Sequence, residues 1–241
     1  MARLSRPARL SILAILALLL LLAAMFGLWR LSKARCFALF VTPLCRVQTP
    51  EKLVALTFDD GPRREGVSIA LDALARNDAH ATFFLIGDEM ARHPGEARRL
   101  VDAGHEIANH SFYHRRMVDV SPAAARREID RTDALLKAEG GGDTLLFRPP
   151  YGSKLTGLPL ALRGAGHRMV MWDVEDPPER LDARQYADRI LEQVRPGSII
   201  LMHIMYDSRA TAREALPLVL AGLARRGYRV VTVGQLLAAR S

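Results

Sequence analysis

Cysteine is nearly absent from the 241-residue chain: Cys36 and Cys45 are the only two. One pair cannot build the disulfide framework that holds small secreted domains together, so the fold must rest on an apolar core. In an oxidising compartment the two are able to pair; unbridged, partly buried thiols are the other reading. Acidic residues are absent from positions 1–46, which carry seven Arg or Lys. Subtracting those seven from the formal net charge of +8 leaves +1 for everything from Val47 onward. The basic excess is thus a membrane-flanking patch able to meet anionic lipid, and no nucleic-acid footprint is present. Obvious repeats are missing, and with 49% of residues hydrophobic a disordered chain is excluded. The length suits one sizeable core and is short for two full catalytic domains.

Charge is also missing from LSILAILALLLLLAAMFGLW, the 20 residues from Leu10 to Trp29. As a helix this run is about 30 Å long, the thickness of a bilayer's hydrocarbon core. A secretory signal peptide is the competing reading, but its apolar part usually spans about 7–15 residues and ends in a small-residue cleavage site. Here Ala23-Ala24 continues into more apolar residues and Trp29, which suits an interfacial anchor. An uncleaved, single-pass anchor is expected. Arg3, Arg6 and Arg9 precede it and Arg30, Lys33 and Arg35 follow, so the charge bias nearly cancels. With only residues 1–9 ahead of it, the remainder is expected outside the cytoplasm, on the periplasmic or cell-surface side. The expected organisation is a basic segment at 1–9, a transmembrane helix at 10–29, a basic linker at 30–50 and a catalytic domain at 51–241.

From Leu53 onward, short β-rich runs alternate with helical ones. Candidate strands are LVALTF (53–58), HATFFL (80–85), HEIAN (105–109), TLLF (144–147), HRMVMW (167–172), SIILMH (198–203) and YRVVTV (228–233). Between them lie amphipathic segments such as VSIALDALARN, SPAAARREIDRTDALLKAEG, DARQYADRILEQV and TAREALPLVLAGLARRG. Ser121-Pro122 reads as an N-cap and first-turn proline, and Gly140-Gly141-Gly142 as a stop. Repeated strand–helix units predict a largely parallel α/β sheet covered by helices, either open or closed into an irregular (β/α) barrel.

Polar residues gather at one edge of this pattern. Asp59-Asp60, His110 with His114, Arg148 with Tyr151, Asp173 to Asp176, and His203 all fall at or just past strand C-terminal ends. That edge carries the active site in α/β folds. If HSFYH (110–114) begins a helix, both imidazoles share one face and reach one cation. Asp60, leaving the first strand, would add a carboxylate and leave a coordination position open. That set suits zinc and also accommodates cobalt or nickel. The adjacent carboxylates in TFDDGP (57–62) can then divide the chemistry, one holding metal while its neighbour takes a proton. The plain alternative is that DDGP is only a turn.

TFDDGP, HSFYH, RPPYG (148–152) and LMH (201–203) resemble, in the same order, the motifs of the NodB-homology polysaccharide deacetylases, carbohydrate esterase family 4. ATFFLIG (81–87) and GHEIANH (104–110) resemble that family's sequence between the motifs, and the resemblance covers about Leu53 to Leu237. It implies a distorted (β/α) barrel that removes acetyl groups from sugars with a divalent metal, commonly zinc. It also implies Asp59 as general base, Asp60, His110 and His114 as metal ligands, and His203 as general acid. Arg148 would position Asp59, and the Tyr151 backbone N–H would help form an oxyanion hole. The chemistry agrees with those roles: an amide carbonyl is a poor electrophile, a cation polarises it, and a protonated imidazole releases the amine.

The resemblance fails at WDVEDPPE (172–179), where the family usually has W-D-x-D-x-x-D-W. Trp172 and Asp173 match, Glu175 stands for the next Asp, and Pro178-Glu179 replaces a pocket-walling Asp-Trp pair. Either Glu175 or Asp176 can serve as the carboxylate that tunes the catalytic histidine. Trp172 reads equally as core or cleft, Phe83-Phe84 as core, and His80, His93, His105 and His167 as structural or surface residues. Expected partners are the membrane and an N-acetylated glycan or a lipid-linked sugar. A deformylase acting on a lipid-linked amino sugar is the nearest alternative, and a non-catalytic glycan-binding protein a more distant one.

Overall fold

The computed structural model describes residues 6–177 and 180–240. Helix α1 (Arg6–Ser32) stands apart from the rest for most of its length, its apolar stretch Ala8–Ser32 having a mean hydropathy of 2.8. There follow β1 (Leu53–Asp59), α2 (Arg64–Ala75), β2 (Thr82–Leu85), α3 (Gly87–Arg92), α4 (Glu96–Asp102) and β3 (Glu106–Asn109). The second half comprises α5 (Pro122–Ala138), β4 (Leu146–Phe147), α6 (Gly157–Ala165), β5 (Arg168–Met169), β6 (Val174–Glu175) and α7 (Ala183–Gln193). After these come β7 (Ile199–Met202), α8 (Ala210–Arg225), β8 (Arg229–Val231) and α9 (Val233–Ala238). Ser121 caps α5 as expected, its side chain accepting from the Ala124 N–H at 3.2 Å. The last expected strand is cut short because Thr232 and Gln235 form a capping box that starts α9.

Strands β5-β4-β3-β2-β1-β7-β6 lie side by side in that order and pair in parallel. β8 and β2 share one flank of β1, with Leu53 opposite Arg229 and Thr57 opposite Thr82. Of the open sheet and the closed barrel that the repeating units left undecided, the chain forms a curled, open half-barrel, and this is the distortion of the (β/α) barrel that the resemblance implied. Among the described residues β5 and β6 do not pair, and β4, β5 and β6 are each only two residues long. Ladders that short cannot carry the curl to closure. The segment after α1 fills the gap instead. Leu44 bridges Val170, donating to Met169 O and accepting from the Met171 N–H, and Arg46 bridges Ser198.

β1 is an interior strand, pairing with β2, β7 and β8, and is buried on both faces, which explains the apolar run LVAL at its start. Its period of two divides the core. Val54, Leu56 and Phe58 pack outward with residues of α2, α7 and α8, whereas Leu53 and Ala55 face the inside of the curl with Phe84, Phe147 and Trp172. Thr57 and Asp59 continue that inner face toward the C-terminal edge.

Candidate active site

Asp59 is the last residue of β1, and the chain turns away through Asp60 and Gly61, both with φ of 70°. Left-handed backbone at a non-glycine residue costs about 1 kcal/mol, and here it splits the two carboxylates in direction. Asp59 Oδ1 receives Arg148 Nη1 at 2.5 Å. Arg148 follows β4 and is wholly buried; it also donates to Thr57 Oγ1 (2.9 Å), Val170 O (3.3 Å) and Met171 O (3.1 Å). Its guanidinium lies 4.0 Å over the Phe84 ring, so a planar cation is fixed by hydrogen bonds at its edge and an aromatic face below. Burial alone would raise the Asp59 pKa, but Arg148, His110 and His203 together outweigh it and hold the carboxyl below its usual range.

His110 leaves the end of β3 and is buried, with Nδ1 only 2.8 Å from Arg148 O. A carbonyl can only accept, so Nδ1 carries the proton and Nε2 presents its lone pair. Nε2 lies 3.6 Å from Asp59 Oδ2 and 3.9 Å from Asp60 Oδ1; His114 Nε2 lies 3.4 Å from the same Asp60 oxygen. Burial lowers the His110 pKa to about 4 and also lowers that of His114, keeping both imidazoles neutral. Asp60 Oδ1 is buried and makes no hydrogen bond among the described residues, and burial raises its pKa. A buried carboxylate oxygen with no hydrogen bond of its own faces two neutral imidazole nitrogens, all within 4.8 Å of one another, which is the arrangement of a cation's ligands. The donor set fits a divalent metal with a position left open.

The expected helix beginning at His110 does not form. Residues 110–116 are a loop, with φ of 65° at Ser111 and 53° at His114. The rings still meet, 4.8 Å between centroids, because the loop is pinned from outside. Asn109 Oδ1 accepts the Ser111 N–H, Ser111 Oγ accepts the His114 N–H, and Glu128 Oε2 on α5 accepts the N–H groups of Phe112 and Tyr113. Asn109 Nδ2 in turn reaches Asp133 Oδ1 at 2.7 Å. Gly87 has no room for more: a Cβ there would meet Phe112 at 2.5 Å. Asn109 and Glu128 were missed by sequence reasoning, since an acid at 128 has no local signature connecting it to a loop sixteen residues earlier.

Opposite the triad, His203 follows β7. Asp176, just past β6, accepts from the His203 backbone N–H (3.3 Å) and lies 3.0 Å from its Nδ1. Burial opposes protonation, but Asp176, then Asp59 and Asp60, raise the His203 pKa to about 9. Of the two candidate tuning carboxylates, Asp176 is the partner; Glu175 points elsewhere and pairs with Arg35. Tyr151, with φ of 56°, sits over the site with its ring 4.7 Å from that of His114. The residues expected at one edge are therefore brought together there.

A polysaccharide deacetylase family model matches residues 46–170. The chain belongs to the NodB-homology polysaccharide deacetylase family. It is 34% identical over 193 residues to the peptidoglycan-N-acetylmuramic acid deacetylase PdaC of Bacillus subtilis, covering 79% of this chain and 40% of that protein. A Bacillus cereus peptidoglycan-N-acetylglucosamine deacetylase is 32% identical, covering 79% of this chain and 91% of the relative. The crystal structure of a carbohydrate esterase family 4 pseudoenzyme from Bacillus anthracis is similar with a TM-score of 0.76 and 28% identity, over 83% of this chain and 70% of that one.

Of the family pattern's departures, Pro178 and Glu179 lie outside the described residues. Trp172 is buried beside the site, 5.6 Å from the Arg148 guanidinium, and Arg35 lies 5.3 Å over the same ring. Asp173 is structural: its two oxygens accept from the Ile199 N–H and the Ser198 hydroxyl. Phe83 and Phe84 are core. His80, His105 and His167 precede β2, β3 and β5, at the opposite edge of the sheet, and His93 ends α3.

Cys36 and Cys45 form a disulfide, Cα to Cα 5.8 Å.

Proposed function

We propose that the protein is a metal-dependent hydrolase that removes N-acetyl groups from an amino-sugar glycan. The observation that carries this reading is the orphaned Asp60 Oδ1, set between two neutral imidazoles beside an ionised Asp59 and opposite a protonated His203. Asp60, His110 and His114 would hold the metal, for which two nitrogens and one carboxylate favour Zn2+. Such a cation supplies Lewis-acid polarisation of the amide carbonyl and makes water acidic near neutral pH.

Asp59 acts as general base through Oδ2, because Oδ1 is occupied by Arg148. Arg148 fixes that carboxylate in place and keeps it ionised. The Tyr151 N–H is assigned to the oxygen on which negative charge develops. His203 is the general acid: with Nδ1 held by Asp176, Nε2 delivers its proton to the departing amine. Arg148 and Asp176 position the two proton carriers and do not themselves touch the reacting atoms.

Residues 10–29 are assigned as a membrane anchor, 30–50 as a basic connection and 51–241 as the catalytic domain, with Leu44 to Val47 completing its sheet. The disulfide between Cys36 and Cys45 favours an oxidising, extracytoplasmic compartment. Acetate release from N-acetylated oligomers by the zinc-loaded full chain, with Asp59→Asn alongside, is the test. An enzyme replete in metal that releases no acetate from any N-acetylated glycan in a broad panel refutes the reading.

A further inference from the structure

A groove of about 530 Å³ runs between the last turns of α1 and the loops that follow β3 and β4. Met25, Leu28 and Trp29 form one wall, and Val118 and Leu155 the other. Lys33 and Arg116, with Ser32 and Ser153, complete the lining, and no acidic side chain contributes to it among the described residues. The lining is graded along the helix. Lys33 stands four residues beyond Trp29, about 6 Å further along the axis. With Leu10 to Trp29 filling the hydrocarbon layer, the apolar wall lies at the depth of acyl chains. Trp29 then marks the interface, and the two cations lie at the level of lipid phosphates.

The same groove adjoins the active site. The Arg116 guanidinium lies 4.3 Å over the Tyr151 ring, and that ring is 4.7 Å from the ring of His114. Little slack separates the helix from this loop, because the Lys154 N–H donates to Ser32 O at 3.1 Å and Lys154 Nζ donates to Ala34 O and Gly152 O. A molecule with its tail against α1 and an anion at Lys33 and Arg116 would present its next group to the site.

We propose that this groove seats the phosphate and the proximal hydrocarbon of a lipid-linked amino sugar, and that this membrane-borne molecule is the substrate. The inference deepens the deacetylase reading above and rests on it. The apolar walls and the uniformly basic rim match an amphipathic anion, and the position beside Tyr151 places its sugar at the metal ligands. Ordinary membrane phospholipid would satisfy the groove but would leave substrate choice unaffected.

The test uses the metal-replete full chain in mixed lipid–detergent micelles and three probes. These are an N-acetylated amino sugar linked through phosphate to a polyprenyl chain, the same sugar as its water-soluble methyl phosphate, and an N-acetylated oligosaccharide. The expected kcat/KM is about 100-fold higher for the polyprenyl probe than for the methyl phosphate, since each buried methylene adds to binding. Val118→Glu should cut that ratio at least about tenfold, by placing a carboxylate against the tail and beside the phosphate. Lys33→Glu, at an exposed position, gives the same readout. Equal kcat/KM values, or a preference that survives both substitutions, overturn the proposal and leave the groove to bulk phospholipid. Turnover of the oligosaccharide alone overturns it while the deacetylase reading stands. Acetate release from none of the three removes both.

Discussion

Replacing Asp176 with Asn keeps the size of the His203 partner and removes its charge. Asp176 is the largest of the influences that raise the His203 pKa, and burial pulls the other way. The present value is about 9, against 6.5 for an unperturbed imidazole. That difference corresponds to about 3 kcal/mol of preference for the charged ring. Without Asp176 the largest raising influence is gone while burial remains, so the value should fall back toward that of an unperturbed imidazole. An acid with a pKa near 9 is about 90% protonated at pH 8, and one near 6.5 only about 3%, so the variant should lose about thirtyfold in kcat/KM there. At pH 6 the same arithmetic gives a loss of less than about twofold. The assay is the pH profile of kcat/KM from 5 to 10 on an N-acetylated oligosaccharide, with metal content checked at each end. A cation at the triad lowers both limbs together, so the displacement between wild type and variant is the quantity to compare. The stability effect has the same sign: a raised histidine pKa stabilises the fold fully below about 6.5, and that contribution fades as pH rises through about 9. Asp176→Asn should therefore lower the Tm more at pH 6 than at pH 9.5. An alkaline limb that does not move would refute His203 as the acid that Asp176 tunes.

Asp59→Asn should keep near-stoichiometric metal and lose about 10²–10⁴-fold in kcat, while His114→Ala should lose the metal itself. Elemental analysis of both variants reads this out, and metal loss from Asp59→Asn with retention in Asp60→Asn would reverse the two roles. Glu128→Ala releases two backbone N–H groups of the His110 to His114 loop and should weaken zinc affinity about 10–100-fold, measured by competition with a chelator. Unchanged affinity would mean that the loop holds its shape without that carboxylate. A chain beginning at Val47 loses the Leu44 bridge, the Arg35 pair with Glu175 and the disulfide. It should be less stable than one beginning at Leu31 by about 2–4 kcal/mol in urea denaturation, because the apolar side chains at Val41 and Leu44 no longer cover the inner core. Equal midpoints would show that the segment only rests on the sheet.

Sequence spacing was enough to place the chemistry along one edge because strands impose a rigid period. Asp59 lies two residues past Thr57 on the inner face of β1, and a one-residue shift would have sent it outward. The histidine pair succeeded for a different reason from the one the spacing offered. Four residues apart suggested a helix, yet the rings converge through left-handed backbone at Ser111 and His114, in a loop that Asn109, Ser111 and Glu128 hold by accepting its N–H groups. Glu128 acts from α5 through a tertiary contact, which carries no period. The choice between Glu175 and Asp176 was similarly closed to sequence. Consecutive residues at a strand end point to opposite sides, and the register of Glu175 against Leu201 decides which one meets His203. Whether the sheet closes was not legible because two-residue strands look, in sequence, like the beginnings of longer ones.

The basic stretch after α1 shows why composition alone misplaces a boundary. Its charge and lack of periodicity suggest a linker, and a linker would leave the helix and the site free of each other. Instead Arg35 pairs with Glu175, the neighbour of Asp176, and lies over Trp172, whose ring also faces the Arg148 guanidinium. Leu44 and Arg46 then bridge Val170 and Ser198 on the open side of the sheet. Each contact joins this segment to a strand tied to a site residue: Val170, just past β5, accepts from Arg148, and Ser198 precedes β7, which leads into His203. An open half-barrel has a free side where the two sheet ends would otherwise meet water. Covering that side with the chain that emerges from α1 stabilises the inner face and, by the same contacts, fixes the orientation of the site relative to the helix. The geometry that completes the core is thus the geometry that decides what the site can reach.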